Sequence, residues 1–427
     1  MLGFFTDQAV IRPVRCRDEP FVSCYYKLEQ LNMWFNLVHL CALMLCVAAS
    51  DRDVELTEEF LLQAFDEGTN NERGKSRSLE KYKLCDHEDG EDARCVKKSL
   101  CDVKSPPLDP ATTFTYREMV EGGCTYLQTC CPEDKIRTEP RKPKPVKKLG
   151  CGYSNPGANV LRELATKNGY TDYGDFPWMI VLMKKGVPKE KFDEAYIGGG
   201  TLIDPSVVLT VAHKVDEVSS SEVMCRAGEW DTKSEDETFK HQDRDVKKII
   251  IHNEYVRQYA RNDVALIILK EPFVLEGAPH IGVACLEKKL PRPGTECFSM
   301  GWGKDFLNGD KYASILKKLK LPLVPADRCQ NLYRNSQLGQ SYTLHKSLTC
   351  AGGEANVDTC IGDGGSSLVC PIPDKSGLRY SVVGMVAYGL GCGAENLPGV
   401  YVKIPEVYDW IFKETTLEGF TDKLFVS

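Results

Sequence analysis

Asp358-Thr359-Cys360-Ile361-Gly362-Asp363-Gly364-Gly365-Ser366-Ser367-Leu368-Val369-Cys370 is the stretch around which the chain is organised. A single acid, Asp363, is set among glycines, and two serines lead into an apolar run closed by a cysteine. Upstream, Val207-Val208-Leu209-Thr210-Val211-Ala212-His213 reads as a β-branched strand ending on a histidine, and Asn262-Asp263 opens a buried-strand pattern that runs through Leu269.

The chain has 427 residues, enough for two domains and a tail. Its net charge of −7 is modest and no basic stripe interleaved with aromatics occurs, which argues against a nucleic-acid partner. Nineteen cysteines without the short paired spacings of zinc sites indicate a secreted, disulfide-bonded protein. The apolar run at residues 34–49 is about 16 residues long, short for a bilayer span, and ends in small residues before Asp51. It reads as a secretory signal starting at Met33, with residues 1–32, which carry Cys16 and Cys24, a mis-assigned leader. A signal anchor with a short cytoplasmic tail is the alternative. Residues 51–84 are polar apart from a small apolar patch and lack a core of their own.

Residues 151–427 resemble a trypsin-like serine protease domain. The matches fall in family order: Tyr173-Gly174-Asp175-Phe176-Pro177-Trp178, the strand ending at His213, Asn262-Asp263-Val264-Ala265-Leu266, Gly301-Trp302-Gly303, Pro398-Gly399-Val400-Tyr401 and a closing helical stretch from Pro405 through Trp410. The resemblance implies an all-β fold of two six-stranded antiparallel barrels with a C-terminal helix and the site in the cleft between them. It also implies that His213 is the general base and Asp263 its orienting acid. The family's nucleophile loop reads Gly-Asp-Ser-Gly-Gly-Pro, so Gly364 stands where the serine belongs. Glycine has no Oγ to attack a carbonyl, leaving His213, Asp263 and Gly364 as a remnant triad and Gly362 with Gly364 as an oxyanion-hole remnant. Ser366 and Ser367 lie two and three residues further on, about 6–10 Å away along the chain, too far to substitute.

A second departure concerns activation. Active family members insert a new apolar N-terminus that pairs with the aspartate before the nucleophile. The matching positions here, Ala165-Thr166-Lys167-Asn168, offer no basic residue followed by an apolar one. Asp363 is then expected in a zymogen-like state or with another partner. Asp358 lies at the position of the acid that selects Lys or Arg, with Gly389 and Gly399 at the pocket walls; a vestigial buried acid is the competing reading. Family bridges imply Cys297–Cys370, Cys329–Cys350 and Cys360–Cys392, with Cys151–Cys285 tethering the linker. Gly198 and Lys214 occupy both positions of the cystine that usually encloses the histidine loop, so a looser loop is expected, and Cys225 is left over.

Residues 85–131 carry Cys85, Cys95, Cys101, Cys124, Cys130 and Cys131. So short a segment needs its bridges to fold, and six cysteines admit fifteen connectivities. The spacing resembles the clip domain of arthropod protease-cascade proteins, which implies Cys85–Cys130, Cys95–Cys124 and Cys101–Cys131. Residues 132–150 form a basic, proline-rich linker in which Arg137, Arg141 and Lys148 are cleavage candidates; Arg117 is another, inside the clip module. Glu229, Glu235, Asp236 and Glu237 suit a calcium ion or an ordinary solvated acidic loop.

As a whole the chain resembles the non-catalytic clip-domain serine protease homologues of arthropod immune cascades. That resemblance implies a secreted haemolymph protein acting as a cofactor in prophenoloxidase activation and melanisation. Its partners would be active clip proteases and prophenoloxidase, with oligomerisation open and no stable membrane anchor. An active trypsin-like endopeptidase and a module that recognises microbial surfaces are the competing classes.

Overall fold

The computed structural model describes residues 79–86, 92–97, 100–102, 124, 128–139, 150–154, 171, 173–234, 237, 239–305, 311–354, 362–373, 379–390 and 393–426. The signal-like run, Met33, Cys16, Cys24, Arg117, Arg141, Lys148, Asp358 and the Cys360–Cys392 bridge lie outside the described residues. Among the described residues no helix is long and apolar enough to cross a membrane.

Three strands, β1 (Leu84–Asp86), β2 (Asp92–Lys97) and β3 (Gln128–Pro132), form a small antiparallel sheet in that order. The apolar core beneath it is slight: Leu79, Val96, Leu100 and Ile136 around Cys101 and Cys131. Disulfides supply the rest, pairing Cys85 with Cys130, Cys95 with Cys124 and Cys101 with Cys131. Each such bridge typically stabilises a small domain by about 2–5 kcal/mol. The module does not stop at residue 131. Ile136 bridges Cys101, Arg137 N donates to Leu100 O at 2.8 Å, and the Arg137 guanidinium reaches both Asp102 carboxylate oxygens at 3.0 and 3.2 Å. Arg137 is therefore tied to the module through residues 100–102, with its side chain still exposed.

The first barrel closes in the order β4 (Met179–Lys184), β5 (Tyr196–Asp204), β6 (Val207–Thr210), β9 (Ala265–Leu269), β8 (Gln242–Ile251), β7 (Val223–Ala227). β6 and β9 are buried along their whole length, which is why they read as unbroken apolar runs. Each fully buried Val, Leu or Ile contributes about 1.5–3 kcal/mol. The second barrel joins β11 (Glu296–Gly301), β14 (Lys317–Val324), β15 (Leu348–Ala351), β18 (Gly399–Lys403), β17 (Tyr380–Tyr388) and β16 (Ser367–Pro371); the β17–β18 pairing closes the ring. β10 (Cys285–Leu286) adds to β17 in parallel, and β12 (Lys304–Asp305) with β13 (Lys311–Tyr312) makes a hairpin off the second barrel.

A helix, α1 (Ala326–Arg334), carries Cys329, bridged to Cys350, while Cys297–Cys370 ties β11 to β16. The C-terminal helix α2 (Ile404–Leu417) buries Ile404, Val407, Tyr408, Ile411 and Thr415, one stripe at helical spacing. Cys151–Cys285 fastens the start of the domain to β10. Beside it Gly152 donates to Val283 O at 2.7 Å and accepts from Tyr380 N at 2.8 Å. Its φ is +76°, and a Cβ there would lie 2.1 Å from Tyr380 O, so only glycine can make this entry. Cys225 is buried and free.

Candidate functional site

The barrels meet where Gly199 N, on β5, donates to Gly364 O at 3.0 Å. His213 rides on a single 3₁₀ turn, Ala212–Lys214, directly after β6, and the β6–β9 register brings Asp263, just ahead of β9, alongside it. Asp263 is fully buried and accepts twice from the histidine: His213 N at 2.9 Å and Nδ1 at 2.7 Å. A carboxylate bonded to Nδ1 fixes the proton there and turns Nε2 towards the cleft. A Cβ placed on Gly364 would lie 3.2 Å from that Nε2. What the arrangement lacks among the described residues is a hydroxyl bonded to His213. Ser366 Oγ is buried without a hydrogen bond, pressed on Gly199 where a Cβ would stand 2.1 Å away, and Ser367 Oγ points at Met300 Sδ, 3.3 Å off. Neither is bonded to His213.

The place of the missing cystine is filled. A Cβ on Gly198 would meet Lys214 Cδ and Cε at 3.3 Å, and one on Gly364 would meet Lys214 Cε at 2.6 Å. Burial holds the Lys214 amine below its usual range, opposed by the nearby Asp363 and Asp263. The loop that follows is clasped, not loose: Asp216 takes Arg257 at 2.7 and 2.8 Å and the Tyr255 hydroxyl at 3.1 Å.

Asp363 takes a backbone amide as one of its partners. Its Oδ1 accepts from Gly303 N at 2.8 Å, and a Cβ on Gly301 would fall 2.1 Å from that oxygen and one on Gly303 2.4 Å from the carboxyl carbon. The Gly-Trp-Gly motif is thus the floor of the Asp363 pocket. Residues 165–168 lie outside the described residues. Over Gly362 stands Tyr312, whose Cε1 would be 2.5 Å from a Cβ there, and its ring packs edge-on against Tyr196 at 5.5 Å. The Tyr196 hydroxyl is buried and unbonded; burial first and then the Asp363 charge hold its proton on.

A trypsin family model matches residues 168–411. The chain is 43% identical over 302 residues to phenoloxidase-activating factor 2 of Galleria mellonella, covering 69% of this chain and 98% of that protein. It is 36% identical over 297 residues to the inactive CLIP domain-containing serine protease A8 of Anopheles gambiae, covering 69% and 79% respectively. For the inactive CLIP domain-containing serine protease A3 of Aedes aegypti the figures are 39% over 337 residues, 76% and 67%. The chain is a clip-domain serine protease homologue.

In this serine protease homologue both glycines expected at the pocket walls lie among the described residues. Gly399 pairs with Ala351 in the sheet, Gly389 is exposed, and the Tyr388 hydroxyl bonds that of Tyr342 at 2.9 Å, turning the ring onto Tyr333. Sequence reasoning missed Lys214, Tyr312 and the fit of Asp363 to two glycines. Of these, only the joint replacement of both cystine positions by Gly198 and Lys214 signalled a rebuilt corner.

The described half of the acidic loop does not fit calcium. Glu229 gives its oxygens to Arg226 at 3.1 Å and to Trp230 N at 3.0 Å, and Arg226 also grips Asp243 at 2.7 and 2.9 Å. The cation in this loop is a guanidinium. Glu237 Oε1 accepts from Asp231 N at 3.1 Å, while Glu235 and Asp236 lie outside the described residues. Among the described residues the only cluster of potential metal ligands is Cys85, Cys124 and Cys130, whose sulfurs are bridged.

Burial, then the Glu229 charge, pushes Glu237 up from 4.5 to about 8. An acid whose folded pKa is raised binds its proton more tightly when folded, so stability declines as pH climbs from 4.5 to about 8. The slope is about 1.4 kcal/mol per pH unit inside that window. Glu237→Gln keeps the acceptor and removes the proton, so its melting temperature is expected to exceed the parent's at pH 8 and match it near pH 4, with or without calcium. Parallel decline of both proteins with pH would refute the assignment.

Proposed function

We propose that this protein is a secreted, non-catalytic cofactor of an extracellular proteolytic cascade that activates prophenoloxidase and leads to melanisation, bridging active clip proteases and their target. The observation that carries the reading is Gly364 opposite His213 Nε2: the base is set, and among the described residues no hydroxyl is bonded to it. Support comes from relatives whose names are phenoloxidase-activating factor and inactive CLIP domain-containing serine protease. The test reconstitutes prophenoloxidase, its activating protease and this protein in purified form. Phenoloxidase activity should rise severalfold with the homologue present, while a serine-directed fluorophosphonate should not label it. Labelling, or no rise in activity, defeats the proposal.

Regulation would run through the linker. None of the described disulfides joins the clip module to the protease-like domain. Cleavage at Arg141 or Lys148 is therefore expected to release two fragments on a non-reducing gel. A cut after Arg117, between bridged Cys101 and Cys124, would leave one covalent unit until reduction.

A further inference from the structure

Between β8 and β9 the chain makes a tight hairpin whose polar groups hold it in place while its apolar and cationic groups face outward. Val256 and Arg261 bridge each other, and a 3₁₀ turn, Arg257–Tyr259, closes the tip. Ala260 has φ +46° and Asn262 φ +47°, the left-handed region that alanine in particular avoids. Strain of this kind persists only where the surroundings over-determine it, and it concentrates at functional sites. Here the surroundings are plain. Arg257 is clamped by Asp216 and by Glu217, the latter at 2.8 Å, and the Tyr255 hydroxyl also reaches Asp216. Asn262 Nδ2 donates to Glu254 O at 3.1 Å, and Asn262 N donates to Oγ of buried Ser347, just ahead of β15, at 3.0 Å. What this clamp presents is Val256, 40% exposed, and Tyr259, 54% exposed. Arg261 lays its guanidinium over the Tyr259 ring at 4.9 Å and has no ion pair among the described residues. Lys346, exposed on the turn before β15, has none either. The two charges converge: after burial, they hold the His345 imidazole below its usual range, against Glu406 and Glu254. Of these two acids, Glu406 is already paired with Lys403 at 3.0 Å.

We propose that Val256, Tyr259, Arg261 and Lys346 form a docking surface for an acidic segment of another protein, whose apolar side chain covers Val256 and Tyr259 while its carboxylates pair with Arg261 and Lys346. Tyrosine and arginine are the side chains that most often carry binding energy at protein interfaces, and a hairpin already held rigid loses little freedom on binding. A protein is favoured over a sulfated polysaccharide because the middle of the surface is apolar, which a polyanionic sugar chain has nothing to cover with. The proposal rests on the cofactor reading for the existence of a protein partner and adds the chemistry that partner must bring.

Fluorescence polarisation on the full chain tests it with labelled dodecapeptides: one of glutamates interrupted by leucines, one with glutamine for every glutamate, and one with serine for every leucine. Labelled heparin is the fourth probe. The glutamate–leucine peptide is expected to bind about ten-fold more tightly than either counterpart, and to weaken severalfold as salt is raised. Arg261→Glu should cut the preference for glutamate over glutamine to below about two-fold, and Tyr259→Ala should do the same to the preference for leucine over serine. Tyr259→Phe should leave both preferences intact, since the Tyr259 hydroxyl has no partner among the described residues. Each variant is checked for an unchanged melting transition. Amide hydrogen exchange on the unaltered protein gives a readout that needs no variant: bound peptide should slow exchange at residues 256–262 and 345–347. No binding of any peptide, equal binding of the three, or protection confined to other residues overturns the proposal. Heparin binding tighter than any peptide and indifferent to Tyr259→Ala also overturns it, by assigning the surface to a polysaccharide. The reconstituted phenoloxidase assay uses none of these probes, so the cofactor reading and this one fail separately.

Discussion

Gly364→Ser alone is expected to yield no measurable hydrolysis of an arginyl fluorogenic amide. Supplying the hydroxyl restores the group whose removal costs a protease of this mechanism about 10⁶-fold, but it does not restore the site around it. The new Cβ would stand 2.6 Å from Lys214 Cε, so the lysine must swing aside before the serine can settle next to His213 Nε2. Tyr312 remains packed on Gly362, expected from the sequence to be one of the two oxyanion donors, and Asp363 remains bonded to the Gly303 amide. Fluorophosphonate labelling resolves these layers. Gly364→Ser combined with Lys214→Ala should label faster than Gly364→Ser, because the crowding amine is gone, while both remain far below an active trypsin-like enzyme. Robust turnover by the single variant would show that the oxyanion site is already formed.

Gly303→Ala should destabilise the protein by about 1–3 kcal/mol, several degrees in melting temperature for a domain of this size. The added methyl would lie 2.4 Å from the Asp363 carboxyl carbon and 2.5 Å from both oxygens. The carboxylate would be driven off the Gly303 amide, leaving a buried charge short of a donor as well as an overpacked turn. Asp363→Ala empties the same space at the cost of that hydrogen bond. The double variant should therefore be less destabilised than the sum of the singles by at least about 1 kcal/mol. Strict additivity in calorimetric melting would mean that the methyl and the carboxylate do not compete.

The barrels were legible because their strands announce themselves twice, as β-branched or unbroken apolar runs and as landmarks in family order. His213, Asp263 and Gly364 were legible for the same reason, since strand register alone carries the first two to one corner. Where the reading stopped was at side chains whose partners are remote in sequence. Arg137 looks like a free basic residue until Asp102 is folded back on it, and Glu229 looks like a metal ligand until Arg226 and Trp230 N take its oxygens. Lys214 is an ordinary surface residue by type; only the close approach of Gly198 and Gly364 lays its stem across the site. Gly-Trp-Gly could be matched as a motif but not explained, because the carboxylate that demands both glycines arrives from 60 residues downstream.

The Cys151–Cys285 bridge sets the direction in which a proteolytic event can be felt. Residues just after the linker are stitched to β10 and β17 by that bridge, by the two Gly152 hydrogen bonds and by Arg379, whose guanidinium donates to Cys151 O at 3.1 Å. Cleavage after Lys148 would put the new terminus at Leu149, only two residues from this anchorage, on a leash of at most about 7 Å. It can fray locally but cannot journey into the interior as a new structural element. Severing the linker thus alters which bodies diffuse together, and leaves the conformation around His213 and Gly364 unaddressed.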